Sequence, residues 1–104
     1  MMNILKTLWG VGPSVNFKEL TEKGAVIVDV RTVTEFKTGH IKDAVNVPLD
    51  TISNQLNRIK KINKPVIAVC RSGNRSGVAV NILKKAGMEA YNGGAWAILK
   101  RKIT

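Results

Sequence analysis

The chain carries one cysteine, Cys70, and the residues that follow it are Arg71, Ser72, Gly73, Asn74, Arg75 and Ser76. A thiol beside two arginines and a glycine has the makings of an anion-holding site. The arginines bring fixed positive charge, the glycine frees the backbone, and hydroxyl, amide and backbone N–H groups can donate hydrogen bonds. The run Val66-Ile67-Ala68-Val69 ahead of Cys70 reads as a buried strand, and Val78, Ala79, Ile82, Leu83 and Ala86 fall on one face of a following helix. A strand-loop-helix turn aims backbone N–H groups and the positive end of the helix dipole into the loop. That field lowers a cysteine pKa from its free value of about 8.5. The expected chemistry is nucleophilic attack by a thiolate. A merely structural cysteine closing a strand accounts poorly for two arginines and a glycine within five residues.

Other residues with chemical capacity are few. Asp29 and Arg31 close a second apolar run, where Asp29 is expected to accept hydrogen bonds from loop backbone or from Arg31, and Arg31 to orient either the loop or an anion. His40 is the only histidine. A thiolate with a lowered pKa needs no general base, so His40 is assigned a structural role. One cysteine and one histidine fall short of a zinc ligand set, so no metal site is expected, and no cofactor. Trp9 and Trp96 are read as packing residues.

At 104 residues the chain is expected to form a single domain with one core, spanning 14–104, behind an amphipathic extension over 1–13 that contains Ile4, Leu5, Leu8 and Trp9. Lys6 breaks the apolar run there, and no small-residue cleavage site follows, so a signal peptide is not expected. No stretch approaches the ~18 apolar residues of a membrane span. A lone thiol makes no internal disulfide and is easiest to keep reduced in a cytoplasm, the expected location. The net charge is +10. Its clusters, Arg58-Ile59-Lys60-Lys61 and Lys100-Arg101-Lys102, lack interleaved aromatics, so they read as solvated helix faces and no specific nucleic-acid partner is expected. The charge can still draw small anions or an acidic protein.

The elements that must hold these groups alternate along the chain. Asn16 to Glu19 has the spacing of a capping box, with Gly24 closing that helix; Ala25 to Val30 is a strand covered on both faces. Thr32 to Glu35 repeats the capping-box spacing for a helix to about Thr38. Ala44 to Val47 is a short strand ended by Pro48, and Asp50 or Thr51 caps a helix bearing Ile52, Leu56 and Ile59. After the cysteine strand and helix come a short strand Glu89 to Tyr91, a glycine turn at Gly93-Gly94, and a helix with Trp96, Ile98 and Leu99. This order predicts an α/β fold, a mainly parallel central sheet with helices on both faces, whose ligands bind outside the carboxyl ends of the strands. Should the strands before Arg31 and Cys70 be neighbours, both side chains are expected to overlook one crevice.

Several ordered blocks together resemble the single-domain rhodanese-like sulfurtransferases: Val28-Asp29-Val30-Arg31 with Glu35-Phe36, Gly39 to Pro48, Cys70 to Ser76, and Asn92-Gly93-Gly94-Ala95-Trp96. The resemblance runs from about Ala25 to Trp96 and implies a six-residue active loop, Cys70 to Arg75. It implies that Cys70 takes the outer sulfur of thiosulfate or another persulfide or polysulfide donor, and passes it from a persulfide to cyanide or a thiol, such as a small dithiol or a thioredoxin-like protein. Arg71 would then contact the donor's sulfonate, Arg75 would add positive potential or hold the loop, and Ser72, Gly73, Asn74 and Ser76 would complete the substrate cup around the terminal sulfur. Arginine after the cysteine fits thiosulfate-type enzymes better than mercaptopyruvate-type ones, which usually have glycine there. Cysteine phosphatases and arsenate-reducing variants carry a loop one residue longer than the four that separate Cys70 from Arg75. A non-catalytic binding module and a carrier fed by a partner protein remain alternative readings. The tail departs from the resemblance: many members place three residues between Gly-Gly and tryptophan, and here only Ala95 intervenes.

Overall fold

The computed structural model describes residues 14–104. The amphipathic extension expected over 1–13, with Trp9, lies outside the described residues. Four strands, β1 (Val26–Asp29), β2 (Val45–Asn46), β3 (Val66–Cys70) and β4 (Ala90–Ala95), form one sheet in the order β2-β1-β3-β4, every pair parallel. Helix α1 (Phe17–Glu22) precedes the strands, α2 (Val33–Thr38), α3 (Leu56–Ile62) and α4 (Asn74–Lys85) run between them, α5 (Trp96–Ile103) follows them, and a 3-10 segment lies at Leu49–Gln55. The fold class is the α/β architecture expected.

Strand alternation sorts the side chains into two cores. Val28, Val30, Val66, Ala68 and Cys70 face the side covered by Ile52, by Ile59 of α3 and by Ala79, Val80 and Leu83 of α4. Ile27, Ile67 and Val69 face the other side, under Phe17 and Leu20 of α1 and Trp96, Leu99 and Ile103 of α5. Every residue of β3 is buried, as the apolar run requires of a central parallel strand. The chain leaves β1 toward β2 and returns to β3 on β1's other edge, so the carboxyl ends of β1 and β3 flank the point where strand order reverses. Ligands of open parallel sheets bind at such a point.

Local signals explain most boundaries. Thr32 and Glu35 form the reciprocal capping box at the start of α2. Asn16 accepts the Glu19 N–H at 3.0 Å, but the Glu19 carboxylate pairs with Lys23 instead of closing a box. Neither Asp50 nor Thr51 caps a helix. The chain after Pro48 winds first as 3-10, with Thr51 Oγ1 donating to the Pro48 carbonyl at 2.8 Å, before α3 begins. The expected turn at Gly93-Gly94 is strand: β4 runs through both glycines with a bulge opposite Ala68 and Val69. Gly93 is required there because a Cβ would stand 2.7 Å from Ile67 Cγ2 and 2.9 Å from Val69 Cγ1.

Candidate active site

Cys70 is the last residue of β3 and α4 begins at Asn74, so three residues make the turn between them. Gly73 makes the turn possible at φ +107, a left-handed conformation open to glycine, and its N–H then points back at the sulfur. Gly73 N lies 3.0 Å and Ser76 N 3.4 Å from Cys70 Sγ, and the Ser76 hydroxyl lies 3.4 Å from it. Ser76 and Cys70 are both buried, at the floor of the loop.

Two opposing effects act on the thiol. Burial pushes its pKa up; the Ser76 hydroxyl and the N–H groups of Ser76, Gly73 and Ser72 pull it down, and the donors prevail, leaving Cys70 below the usual thiol value. The site therefore favours an anion on sulfur at the start of a twelve-residue helix.

The charged residues divide into one that faces outward and others that are engaged. Arg71 is exposed, and no ion pair among the described residues engages it. Arg75 reaches from the first turn of α4 to Glu35 of α2, with Nη1 2.6 Å from Oε1 and Nη2 3.0 Å from Oε2. This bidentate pair, with the hydrogen bonds from the Thr32 backbone and hydroxyl, holds the Glu35 carboxyl down at about 2. Arg75 thus ties the loop's helix to α2. Asn74 and Ser72 are exposed at the loop rim. A cavity of about 310 Å³ lined by Val30, Thr32, Pro48, Leu49, Asp50 and Arg75 opens on the same sheet face.

Asp29 and Arg31 lie elsewhere. The strand ahead of Arg31 and the strand that ends at Cys70 are indeed neighbours, but Asp29 alternates with Val28 and Val30, on the sheet face opposite Cys70. Arg31 is 3% exposed and engaged at all three nitrogens: Nε and Nη2 donate to the Asp29 carboxylate, Nη2 to the Gly39 carbonyl at 2.7 Å and Nη1 to that of Glu35 at 3.3 Å. Its guanidinium lies over the Trp96 ring at 4.5 Å. The two residues form a buried brace and do not line the loop around Cys70. The shortened Gly-Gly-Ala-Trp tail serves that brace, since Trp96 opens α5 directly beneath Arg31 and against Gly39, where a Cβ would meet the ring at 3.1 Å. His40 stacks on Phe36 with ring centroids 3.7 Å apart and donates from Nδ1 to the Phe36 carbonyl, a local structural bond.

Two residues of the site belong to the family-like blocks of the sequence but have no site role assigned from it. Glu35 reads from the sequence as a capping residue, and its bond to Arg75 spans forty positions of sequence. Asn92 donates from Nδ2 to the Gly73 carbonyl at 3.1 Å, and its Oδ1 accepts from Gly94 N at 2.9 Å and from the Ser76 hydroxyl at 2.7 Å. The available signal was a polar residue in an otherwise apolar strand, directly before two glycines.

A parallel sheet with a cysteine-bearing loop at the switch point between its central strands defines an α/β class with an anion-favouring loop, and comparison with known sequences narrows it. The profile of the Rhodanese-like domain matches residues 15–99, and this chain belongs to that family. It is 42% identical over 69 residues to the uncharacterized protein YqhL of Bacillus subtilis (strain 168), covering 65% of this chain and 54% of that one. It is 38% identical over 64 residues to the thiosulfate sulfurtransferase GlpE of Pseudomonas syringae pv. syringae (strain B728a), covering 62% and 59%. The crystal structure of a rhodanese-like domain protein from Staphylococcus aureus superposes with a TM-score of 0.70 at 37% identity, over 81% of each chain. The matched region spans little more than half the length of these two curated relatives.

Proposed function

We propose that this protein is a sulfurtransferase that carries sulfane sulfur on Cys70, with thiosulfate or a related persulfide or polysulfide as donor. The observation that carries this reading is the convergence of the Gly73 and Ser76 N–H groups on Cys70 Sγ within a loop only four residues long between cysteine and arginine. Donors aimed at one sulfur stabilise a thiolate before reaction and the displaced charge after it. A phosphoryl group, with three oxygens to satisfy, would need a wider cup.

In the first step the Cys70 thiolate attacks the outer sulfur of thiosulfate. A Cys70–sulfur bond forms, the donor's S–S bond breaks, and sulfite departs with the electron pair. In the second step an acceptor thiolate, or cyanide, attacks the terminal sulfur of the persulfide, and Cys70 leaves as the thiolate. No external oxidant or cofactor is consumed. Arg71, exposed beside the loop, holds the sulfonate of the incoming donor. GlpE, named a thiosulfate sulfurtransferase, supports the donor class. A small dithiol or a thioredoxin-like protein in a reducing cytoplasm suits the acceptor step; no helix among the described residues is long and apolar enough to cross a membrane.

Intact-protein mass spectrometry after thiosulfate treatment tests the reading. Wild type gains one sulfur atom, lost again on adding dithiothreitol, and folded Cys70→Ser gains none. Absence of the adduct on folded wild type would reject thiosulfate as donor and favour a non-catalytic binding module or a carrier loaded by a partner protein.

A further inference from the structure

We infer that Ser76 is a two-position proton donor, and that Asn92, by competing for its hydroxyl proton, sets the ionisation of Cys70. The amide of Asn92 has only one workable orientation. Nδ2 faces the Gly73 carbonyl, which can only accept, and Oδ1 faces the Gly94 N–H, which can only donate; a flipped amide would lose both bonds. The Ser76 hydroxyl, 2.7 Å from Oδ1, must therefore place its single proton on Asn92. Its lone pairs then face Cys70 Sγ at 3.4 Å. That arrangement suits a thiol, whose S–H can donate to Oγ.

It does not suit a thiolate. An anion offers no proton to Oγ, and an oxygen lone pair turned toward it is repulsive, so the hydroxyl must swing from Asn92 to sulfur. The cost at Asn92 is the net worth of one ordinary hydrogen bond exchanged for water: Oδ1 keeps the Gly94 N–H, and the residue is exposed, so water takes the serine's place. Ionisation of Cys70 is thus two coupled events, release of the thiol proton to solvent and rotation of the Ser76 hydroxyl. Asn92 stabilises the thiol state alone, which makes it a positioning residue acting through Ser76. The charges around the sulfur sit apart from this switch. Arg75 on α4 is paired with Glu35 of α2, Asp29 on β1 is paired with Arg31 across the sheet, Asp50 in the 3-10 segment lines the cavity beside Arg75, and Arg71 is exposed. None of their hydrogen bonds among the described residues involves Ser76 or Asn92.

The inference deepens the reading of Cys70 as the sulfur-carrying nucleophile and rests on it for its consequence in turnover. Its test needs no sulfur donor, so its failure and that of the thiosulfate reading are separate results. The rate of Cys70 alkylation by iodoacetamide, followed against pH in the full chain, gives the midpoint of ionisation. Ser76→Ala is expected to raise it, Ser76→Thr to keep it near wild type, and Asn92→Ala to lower it by about half a pH unit to one pH unit, the equivalent of one ordinary hydrogen bond. In the Ser76→Ala background, Asn92→Ala is expected to have no effect. Wild type supplies a second reading should a variant fail to fold: the side-chain carbonyl carbon of Asn92, observed by NMR, should titrate with the alkylation midpoint as its Oδ1 exchanges serine for water. An equal effect of Asn92→Ala in both backgrounds, an upward shift in the single variant, or a flat Asn92 carbonyl across the Cys70 midpoint would overturn the inference.

Discussion

Two arginines of this chain that look interchangeable on paper do different work. Arg71 is exposed beside Cys70, the proposed nucleophile, and Arg71→Ala should lower kcat/KM for thiosulfate about 10- to 100-fold, mainly through KM, as expected for losing a charge-assisted contact of about 1.5–3 kcal/mol. Persulfidation by an uncharged polysulfide should change little, because no sulfonate is there to hold. Steady-state kinetics with both donors decides it, and equal losses would mean that Arg71 acts on the loop itself. Arg31, 3% exposed, is bonded to Asp29 and two carbonyls. Arg31→Met strands a buried carboxylate, and by the usual cost of breaking such a pair it should destabilise the domain by about 3–5 kcal/mol. Urea unfolding reports that loss; the ionisation midpoint of Cys70 in the surviving folded fraction should stay where it is in wild type.

Helix α2 and helix α4 meet through Glu35 and Arg75, and the pair gives the loop's helix a pH-dependent anchor. The Glu35 pKa is depressed in the folded state, to about 2 from an ordinary 4.5. Such a group binds fewer protons folded than unfolded, so its contribution is fully present above about 4.5 and is lost as pH falls toward about 2. The two side chains are about one-third exposed, which keeps the contribution near the ~1 kcal/mol of solvent-screened pairs. Denaturation of wild type and Glu35→Gln should therefore differ at neutral pH and converge at pH 2; a gap that persists in acid would show that capping, not the charge pair, carries the effect. Strand β4 permits a sharper test of packing. Gly93→Ala drives a methyl against Ile67 and Val69, both fixed in the central strand, and overpacking of this kind costs about 1–3 kcal/mol. A thermal melt should show Tm lower by roughly 4–8 °C per kcal/mol.

Over the whole molecule, a net charge of +10 surrounds a site expected to bind a dianion. Screening at 0.15 M ionic strength, where the Debye length is about 8 Å, should slow encounter with thiosulfate while leaving alkylation by neutral iodoacetamide unchanged. Stopped-flow rates for the two reagents between low and physiological salt separate this field from the local loop. Parallel declines would place the salt effect on the thiolate instead of on the donor's approach.

Much of this protein was legible in its residues. The apolar run ending at Cys70, the capping box at Thr32 and Glu35, and the alternation of strand and helix patterns are local signals, each set by side-chain periodicity or by a hydrogen bond a few positions long. They determined the α/β class and the loop that carries Cys70. What they could not determine was which groups share a space. Strand parity sends Asp29 and Cys70 to opposite faces of the sheet, so the Arg31 that promised to overlook the crevice is buried on Asp29 and Trp96. Register along β4 brings Asn92 beside Ser76, and the crossing of α2 and α4 hands Arg75 to a glutamate forty residues away. Asp29 and Arg31 are two positions apart and their bond is legible locally, but the other partners are far apart in sequence and equally polar in every alternative pairing, so only the packed sheet, with its fixed parity and register, decides which of those hydrogen bonds exist.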